Sequence, residues 1–311
     1  MRQINFPNLD YMSQRWKALV FSGVLIGITF ISLAVQGLNL GLDFTGGTVI
    51  EVGFQEPTVI AELSGALEAG GLTGITVQHF GSTREVLLRI PPSGETNNAA
   101  LSQKVFDTLS AAADGKAELR RVEFVGPQVG EELTEQGGLA VLYSVIGILI
   151  YVALRFEWRF SLGAVAATVH DAIVTLGFFS LFQFEFDLNV LASILTVIGY
   201  SLNDTIVVFD RVRENFRKIR KGTPLDIMNQ SVNETMSRTV ITAGTVFLVV
   251  VALYLFGGET LRGFSLALIV GVISGTYSTI YIASNVAVLL GVSRQDLMPT
   301  PKEGPGVDAR P

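Results

Sequence analysis

The chain has 311 residues, of which only 16% are charged, and a net charge of −6; its mean hydropathy is +0.47. Soluble proteins carry charge on roughly a quarter of their residues, so the composition excludes an ordinary soluble fold. Zero cysteines exclude disulfides and thiolate chemistry, two histidines exclude a histidine-rich metal centre, and the acidic balance gives no sign of nucleic-acid binding.

The charge is missing in blocks, and a run of about 20 apolar residues spans the hydrocarbon core as a helix. After an N-terminal tail (1–16), the first such run covers 17–36. Arg15 and Lys17 flank it and no small-x-small cleavage site ends it, so a retained signal anchor is expected rather than a removed signal peptide. The next segment, G-L-N-L-G-L-D-F-T-G-G-T, gathers Gly37, Gly41, Gly46 and Gly47 around Asp43 and Thr45. Glycines permit turns closed to other residues, so this is either a plain linker or a shaped junction.

Residues 37–136 read as an extramembrane α+β domain. Strand-like runs at 48–54, 75–80, 85–90 and 118–125 alternate with helical patterns at 57–69 and 99–113. The order β-α-β-β-α-β is the ferredoxin-like, split βαβ arrangement. Nothing in it has the spacing of an active site, and His79 reads as an ordinary strand histidine. A binding or mechanical domain is the inference. At its far end, V-G-P-Q-V-G-E-E-L-T-E-Q-G-G reads as a helical stalk with Glu131, Glu132 and Glu135.

Five further spans are expected at 137–155, 161–183, 188–208, 239–258 and 264–290, with a basic segment at 209–238 and a C-terminal tail at 291–311. In the last span, G-V-I-S-G at 271–275 carries a small-x-x-x-small pattern suited to close helix packing. Short connections alternate in charge. The tail offers Arg2, Arg15 and Lys17; the turn after span two offers Arg155 and Arg159; the segment after span four offers Arg211, Arg213, Arg217, Lys218, Arg220 and Lys221. The opposite connections, F-Q-F-E-F-D-L and G-G-E-T-L-R-G, hold three acids and one base between them. The positive-inside rule therefore puts both termini in the cytoplasm and residues 37–136 outside, where 14 acidic side chains face 6 basic ones for a net of −8.

Two spans contain ionisable groups. A carboxylate at bilayer depth costs on the order of 2.5–3.5 kcal/mol unless paired, hydrated or protonated. Span three holds His170 and Asp171; span four holds Asp204 with Tyr200, Ser201, Asn203 and Thr205. At 1.5 Å per residue Asp204 lies about 9 Å from Asp210, and Asp171 about 18 Å from Arg159. A buried carboxyl switches protonation only if its surroundings alternate between wet or paired and dry or unpaired. The counter-charge nearest in depth is Arg238, at the head of antiparallel span five. An Asp204–Arg238 pair that makes and breaks is the leading mechanism; the alternative is that Arg238 snorkels to the interface. For Asp171 a proton relay and a static packing acid bonded to His170, Thr168 or a neighbouring span stand side by side. His170 reads as a structural partner, because adjacent residues project about 100° apart around a helix.

The motifs G-L-D-F-T-G-G-T (41–48), V-E-F-V-G-P-Q-V-G (122–130), R-F-E-W-R (155–159), H-D (170–171), G-Y-S-L-N-D-T-I-V-V-F-D-R-V-R-E-N (199–215) and S-R-T (237–239) resemble the SecF family of protein-export membrane subunits, over about 12–290. The resemblance implies a bacterial inner-membrane protein, half of a resistance-nodulation-division type membrane domain, whose six spans pair with six in SecD. It implies coupling of inward proton flow to periplasmic-domain movement, assisting late stages of export of unfolded polypeptide through SecYEG after SecA-driven translocation, with YajC as a further associate. No enzyme activity and no cofactor are implied. The family's membrane aspartate falls on Asp204 and its arginine on Arg238, with Asp171, His170, Asn203 and Ser201 as further proton-coupling candidates, and retention of Gly41, Asp43, Gly46 and Gly47 favours a shaped, functional hinge over the plain linker. The residues leave open whether protons or sodium ions are used. A small-molecule exporter would carry a second set of spans, a purely structural accessory would not need Asp204, and a membrane hydrolase lacks its catalytic set.

Overall fold

Each apolar block forms a helix in the computed structural model, which describes residues 7–92, 98–113 and 115–293. The outermost parts of both expected tails, 1–6 and 294–311, lie outside the described residues. The six long apolar helices make this a multi-pass membrane protein. They are α1 (Arg15–Val35), α5 (Pro127–Arg155), α6 (Trp158–Phe182), α7 (Leu188–Lys218), α8 (Pro224–Phe256) and α9 (Glu259–Ser278). The last continues through a π-helical turn, Thr279–Ala283, into α10 (Ser284–Leu289).

Helices α7 and α9 form the middle of the bundle because their small residues let backbones approach. A Cβ on Gly271 would lie 2.0 Å from Val197 Cγ2, and one on Gly275 would lie 3.2 Å from Ser201 Cβ. The G-V-I-S-G segment therefore packs against α7. Gly177 of α6 meets Thr29 of α1 in the same manner, at 1.9 Å from a hypothetical Cβ to the hydroxyl oxygen.

The helices overrun the spans expected from hydropathy. Helix α5 starts at Pro127 and so absorbs the stalk. Helix α7 continues to Lys218, with Val212 and Phe216 packed into the bundle's core and Arg211–Glu214 and Lys218–Glu214 pairs one turn apart. Helix α8 begins at Pro224 behind a capping box of Thr223 and Asp226. The segment 209–238 is thus two helix ends joined by a tight turn. At the same end of the bundle, Asn233 and Asn229 hold Leu9 and Tyr11, with Leu9 N–H donating to Asn233 Oδ1 at 2.9 Å and Tyr11 N–H to Asn229 Oδ1 at 2.8 Å.

Between α1 and α5 stands the α+β domain, with strands β2 (Gly47–Phe54), β3 (Thr76–Phe80), β4 (Ser82–Ile90) and β5 (Ala117–Val125) and helices α3 (Ile60–Ala69) and α4 (Asn98–Ala112). The sheet runs β3-β4-β2-β5, antiparallel throughout. Alternation sends Ile50, Val52, Val86 and Leu88 to one face, where they meet Leu63, Leu67, Val105 and Leu109 of the two helices. The element order is the expected one. The β3–β4 turn is tighter than expected: Gly81, with φ +74°, makes the bend and Ser82 already belongs to β4.

Candidate functional site

Helix α7 carries its polar residues in consecutive positions, so successive side chains meet different neighbours. Asp204 and Tyr200, one turn apart, share the side toward α8. Asp204 is 3% exposed. Its Oδ2, the Tyr200 hydroxyl and the Thr239 hydroxyl of α8 are buried without a hydrogen-bond partner. Thr242 stands beside both α7 residues, but its hydroxyl donates to the backbone carbonyls of Arg238 and Thr239, each at 3.0 Å. Arg238 lies close enough to act on Asp204 through its charge. Its guanidinium is exposed, and the two form no direct ion pair. An unsatisfied buried polar group costs about 1–3 kcal/mol, and this cluster leaves three of them on one helix interface.

Asp171 is the opposite case. It is fully buried, and its carboxylate accepts from Ser201 Oγ (2.6 Å) on α7 and from Ser274 Oγ (2.5 Å) and Ser278 Oγ (2.6 Å) on α9. His170 Nδ1 lies 3.1 Å from Asp171 Oδ1. The separation around the helix does not keep the adjacent pair apart, because both side chains turn into the same α9-facing interior. Thr168 is not a partner; it donates to Ala164 O at 3.0 Å. The described groups therefore fill the acceptor positions of Asp171 and lash α6, α7 and α9 together. His170 Nε2 is left buried and unpartnered, beside the Tyr277 ring at 6.0 Å between centroids. Ser201 belongs to this brace, not to the Asp204 cluster.

Asn203 points elsewhere again. It is exposed on the surface of the bundle, as are Thr196, two turns before it, and Arg238 and Thr245, two turns apart on α8. On each of the two helices these polar side chains recur seven residues apart, which puts each pair in line on one exposed face.

The glycine-rich junction is a folded joint. Strand β1 (Asn39–Leu40) pairs in parallel with β6 (Glu185–Phe186) of the α6–α7 connection. A short helix, α2 (Leu42–Thr45), follows. Asp43 Oδ2 accepts the Leu188 N–H at 3.0 Å, beside the Asp187 carboxylate that accepts the Val190 N–H at 2.8 Å, so both acids cap the start of α7. Arg89 of β4 donates to Leu40 O at 2.8 Å and to Glu185 Oε1 at 2.6 Å. Gly46 and Gly47 take φ of +65° and +116°, and a Cβ on Gly47 would lie 2.4 Å from Ile90 O. Burial pushes the Glu185 and Asp187 carboxyls up, Arg89 opposing the rise at Glu185.

Residues 105–293 match the family model for the C-terminal part of the protein-export membrane proteins SecD and SecF, and residues 31–58 match that for the SecD/SecF GG motif. The chain is 52% identical over 301 residues to the protein translocase subunit SecF of Vibrio alginolyticus, covering 96% of each chain. It is 45% identical to that of Escherichia coli O157:H7, covering 99% of this chain and 96% of the relative. Its fold is similar to the crystal structure of SecDF, a translocon-associated membrane protein from Thermus thermophilus, with a TM-score of 0.83 and 34% identity. That similarity covers 92% of this chain and 39% of the larger SecDF chain. A structure of SecDF in a super-membrane-facing form matches with a TM-score of 0.65 over the same shares. With one family model spanning more than half of the sequence and relatives matched nearly end to end, the chain belongs to the SecD/SecF family of protein-export membrane proteins, on its SecF side.

Proposed function

We propose that this chain works with a SecD partner in a bacterial inner membrane, using the proton motive force to drive movements of its periplasmic domain that assist late stages of polypeptide export through SecYEG after SecA-driven translocation. The observation that carries the coupling is Asp204: a buried carboxyl with an unpaired oxygen, next to unpaired hydroxyls of Tyr200 and Thr239, within the field of Arg238. A carboxyl so placed exchanges a proton when the α7–α8 interface opens and presents its oxygen to water or to Arg238. Asp171, with its acceptor positions filled, holds the helices while this happens.

Support for the SecD partner comes from two surfaces. The exposed pairs, Thr196 with Asn203 and Arg238 with Thr245, leave polar groups facing hydrocarbon unless another helix covers them. Strand β5 ends the sheet with Leu119, Val122 and Phe124 exposed at 39%, 44% and 52%, an edge suited to strand pairing. Orientation is supported by the basic ends of α5, α6 and α7 and the N-terminal segment, which share the end away from the domain. That end is the cytoplasmic one under the positive-inside rule. The chain is read as a transport factor without hydrolytic activity or cofactor, and YajC as an associate.

The test is proton flux and export in vesicles reconstituted with the SecD partner and SecYEG, comparing the native chain with Asp204→Asn. Gradient-stimulated export and flux are both lost if the reading holds; unchanged flux rejects it. Collapsing proton and sodium gradients separately decides the ion, and dependence on sodium alone overturns the proton assignment.

A further inference from the structure

We propose that Asp43 and Arg89 are positioning residues that fasten the periplasmic domain to helix α7, so that domain and helix move as one body and the glycine-rich segment is a weld instead of a hinge. This rests on the reading of Asp204 as the ion-responsive group, because α7 is the helix that carries it.

Three independent attachments converge on the start of α7. The main chain is joined by the β1–β6 ribbon and by the Gly41 N–H donating to Phe186 O at 2.8 Å. The helix terminus is joined by Asp43, which caps the Leu188 N–H. The sheet is joined by Arg89, whose two terminal nitrogens reach Leu40 O and Glu185 Oε1, tying a central strand of the domain to both strands of the ribbon with one planar group.

The glycine segment is closely packed, beside a cleft of about 330 Å³ lined by Asp43, Glu185, Asp187 and Glu259. A Cβ on Gly41 would lie 3.1 Å from Asp187 Cβ; one on Gly46 would lie 3.1 Å from Pro127 Cα; and one on Gly130 of α5 would lie 3.1 Å from Gly46 N. A hinge needs main-chain groups free to exchange partners, and here a Cβ on Gly41, Gly46 or Gly130 would press on its neighbour while one on Gly47 would lie 2.4 Å from Ile90 O. Gly81, at the tip of the β3–β4 hairpin, adds a fourth contact, since a Cβ there would lie 2.7 Å from Glu259 Oε1 at the start of α9. From Leu188 to Asp204 the chain is continuous helix, about 24 Å along the axis. A tilt or shift of α7 at Asp204 therefore reaches the domain through a rigid rod and a rigid joint.

The native chain has no cysteine, which makes the test clean. Leu40 and Phe186 are register partners in the ribbon, and Leu40→Cys with Phe186→Cys, which leaves the Arg89–Glu185 pair and the Leu40 carbonyl in place, allows them to be bridged by oxidation or a short thiol-reactive linker. The protein is measured in vesicles with its SecD partner and SecYEG. A weld predicts that bridged and reduced forms of this double variant show the same gradient-stimulated export within about twofold. Arrest on bridging, relieved by reductant, overturns it. A second arm stands independently: Arg89→Gln lowers gradient-stimulated export about tenfold, the scale of one charge-assisted hydrogen-bonded pair, and the exchanged variant R89E/E185R recovers most of it. No loss in Arg89→Gln, or no recovery on exchange, overturns the role of Arg89. Asp204→Asn in the same vesicles separates the two readings: if it exports normally, the ion-coupling assignment fails, while the bridging result still reports on the joint.

Discussion

Ser201 and Asp204 stand one turn apart on α7 and serve different acids: Ser201 Oγ donates to Asp171 Oδ2 across 2.6 Å, whereas Asp204 keeps an oxygen with no partner. One helix thus carries a fastened carboxylate interface and a free carboxyl side by side. In the sequence each is a single aspartate in an apolar span, Asp171 beside His170 and Asp204 among Tyr200, Ser201, Asn203 and Thr205. Their hydrogen-bonding environments separate a carboxylate whose acceptor positions are filled from one that keeps an oxygen free, the condition the proposed switch requires.

The brace should be costly to break and the switch cheap. Asp171→Ala strands three serines and His170 in the bundle, and an uncompensated buried network costs about 3–5 kcal/mol; hydrogen bonds within membranes average nearer 0.6 kcal/mol each, so the lower end is expected. The variant should accumulate poorly and melt well below the native chain in detergent. Asp204→Asn keeps the shape and satisfies no fewer groups, so its melting should stay within about 0.5 kcal/mol of native while gradient-stimulated export is lost. Equal stability losses in the two variants would remove the distinction.

Gly271 sets the distance between α7 and α9. A Cβ there would lie 2.0 Å from Val197 Cγ2 and 2.6 Å from Cγ1, and a β-branched valine on a helix has little rotamer freedom to move aside. Gly271→Ala should cost about 1–3 kcal/mol by overpacking. Val197→Ala in the same chain should restore much of it by clearing the space. Thermal unfolding of the three variants in detergent measures both, and an additive pair would show that the contact is not the cause.

Much of this architecture is legible in the sequence, because it follows from periodicity. The apolar runs give the six helices and alternation gives the four strands of the domain sheet. The ends of α7 and α8 are not legible from hydropathy, since Asp210, Arg211, Arg213 and Lys218 read as a polar connection although Val212 and Phe216 keep a helical apolar face. The T-P-L-D run at 223–226 is a capping signal that would have located the start of α8. Partners of Asp171 are out of reach of local reading: Ser201, Ser274 and Ser278 come from two other helices, and hydroxyls in membrane helices commonly bond to their own backbone. The β1–β6 ribbon pairs two residues with two others 146 positions away, too short a pattern to register. Its glycines and Asp43 are conspicuous in the sequence; the contacts that favour a weld over a hinge come from α7 and β4 and are out of reach of local reading.

The joint should also respond to pH. Burial raises the Glu185 and Asp187 carboxyls in the folded joint, against the pull of Arg89 at Glu185. An acid whose folded pKa is raised contributes stability that is fully present below its unfolded pKa, about 3.9 for Asp and 4.3 for Glu, and lost as pH rises through the folded value. Of the other charged groups lining the cleft, Asp43, Arg121, Glu123, Glu259 and Arg262, Asp43 acts on both carboxyls and raises them further. The Gly41 amide, bonded to Phe186 O, should therefore exchange its hydrogen more slowly near pH 4, close to the unfolded values, than at pH 7.5 after correction for intrinsic rates. Glu185→Gln should flatten the dependence, and an unchanged slope in that variant would assign the effect to other groups.

Asn203 offers the sharpest test of the partner surface. Its side chain is exposed on the bundle, one residue from the buried Asp204, so it adds little to packing within this chain. Facing lipid, an amide is a liability; facing a polar helix, it is a bond worth about 0.6 kcal/mol on average and up to about 1.7. Asn203→Leu should therefore leave the melting of the isolated chain unchanged or slightly raised, and weaken its retention of SecD by roughly threefold to twentyfold, the fold-change corresponding to that energy. Thr196→Val and Thr245→Val should act in the same direction with smaller effects, since their hydroxyls already donate to Ala192 O and Thr242 O. Measurement is by co-purification across a detergent series, in which the native pair and the variants lose the partner at different points. If Asn203→Leu binds SecD as tightly as the native chain does, this face meets lipid or another protein, and the SecD interface must be sought on the exposed faces of α1 or α5.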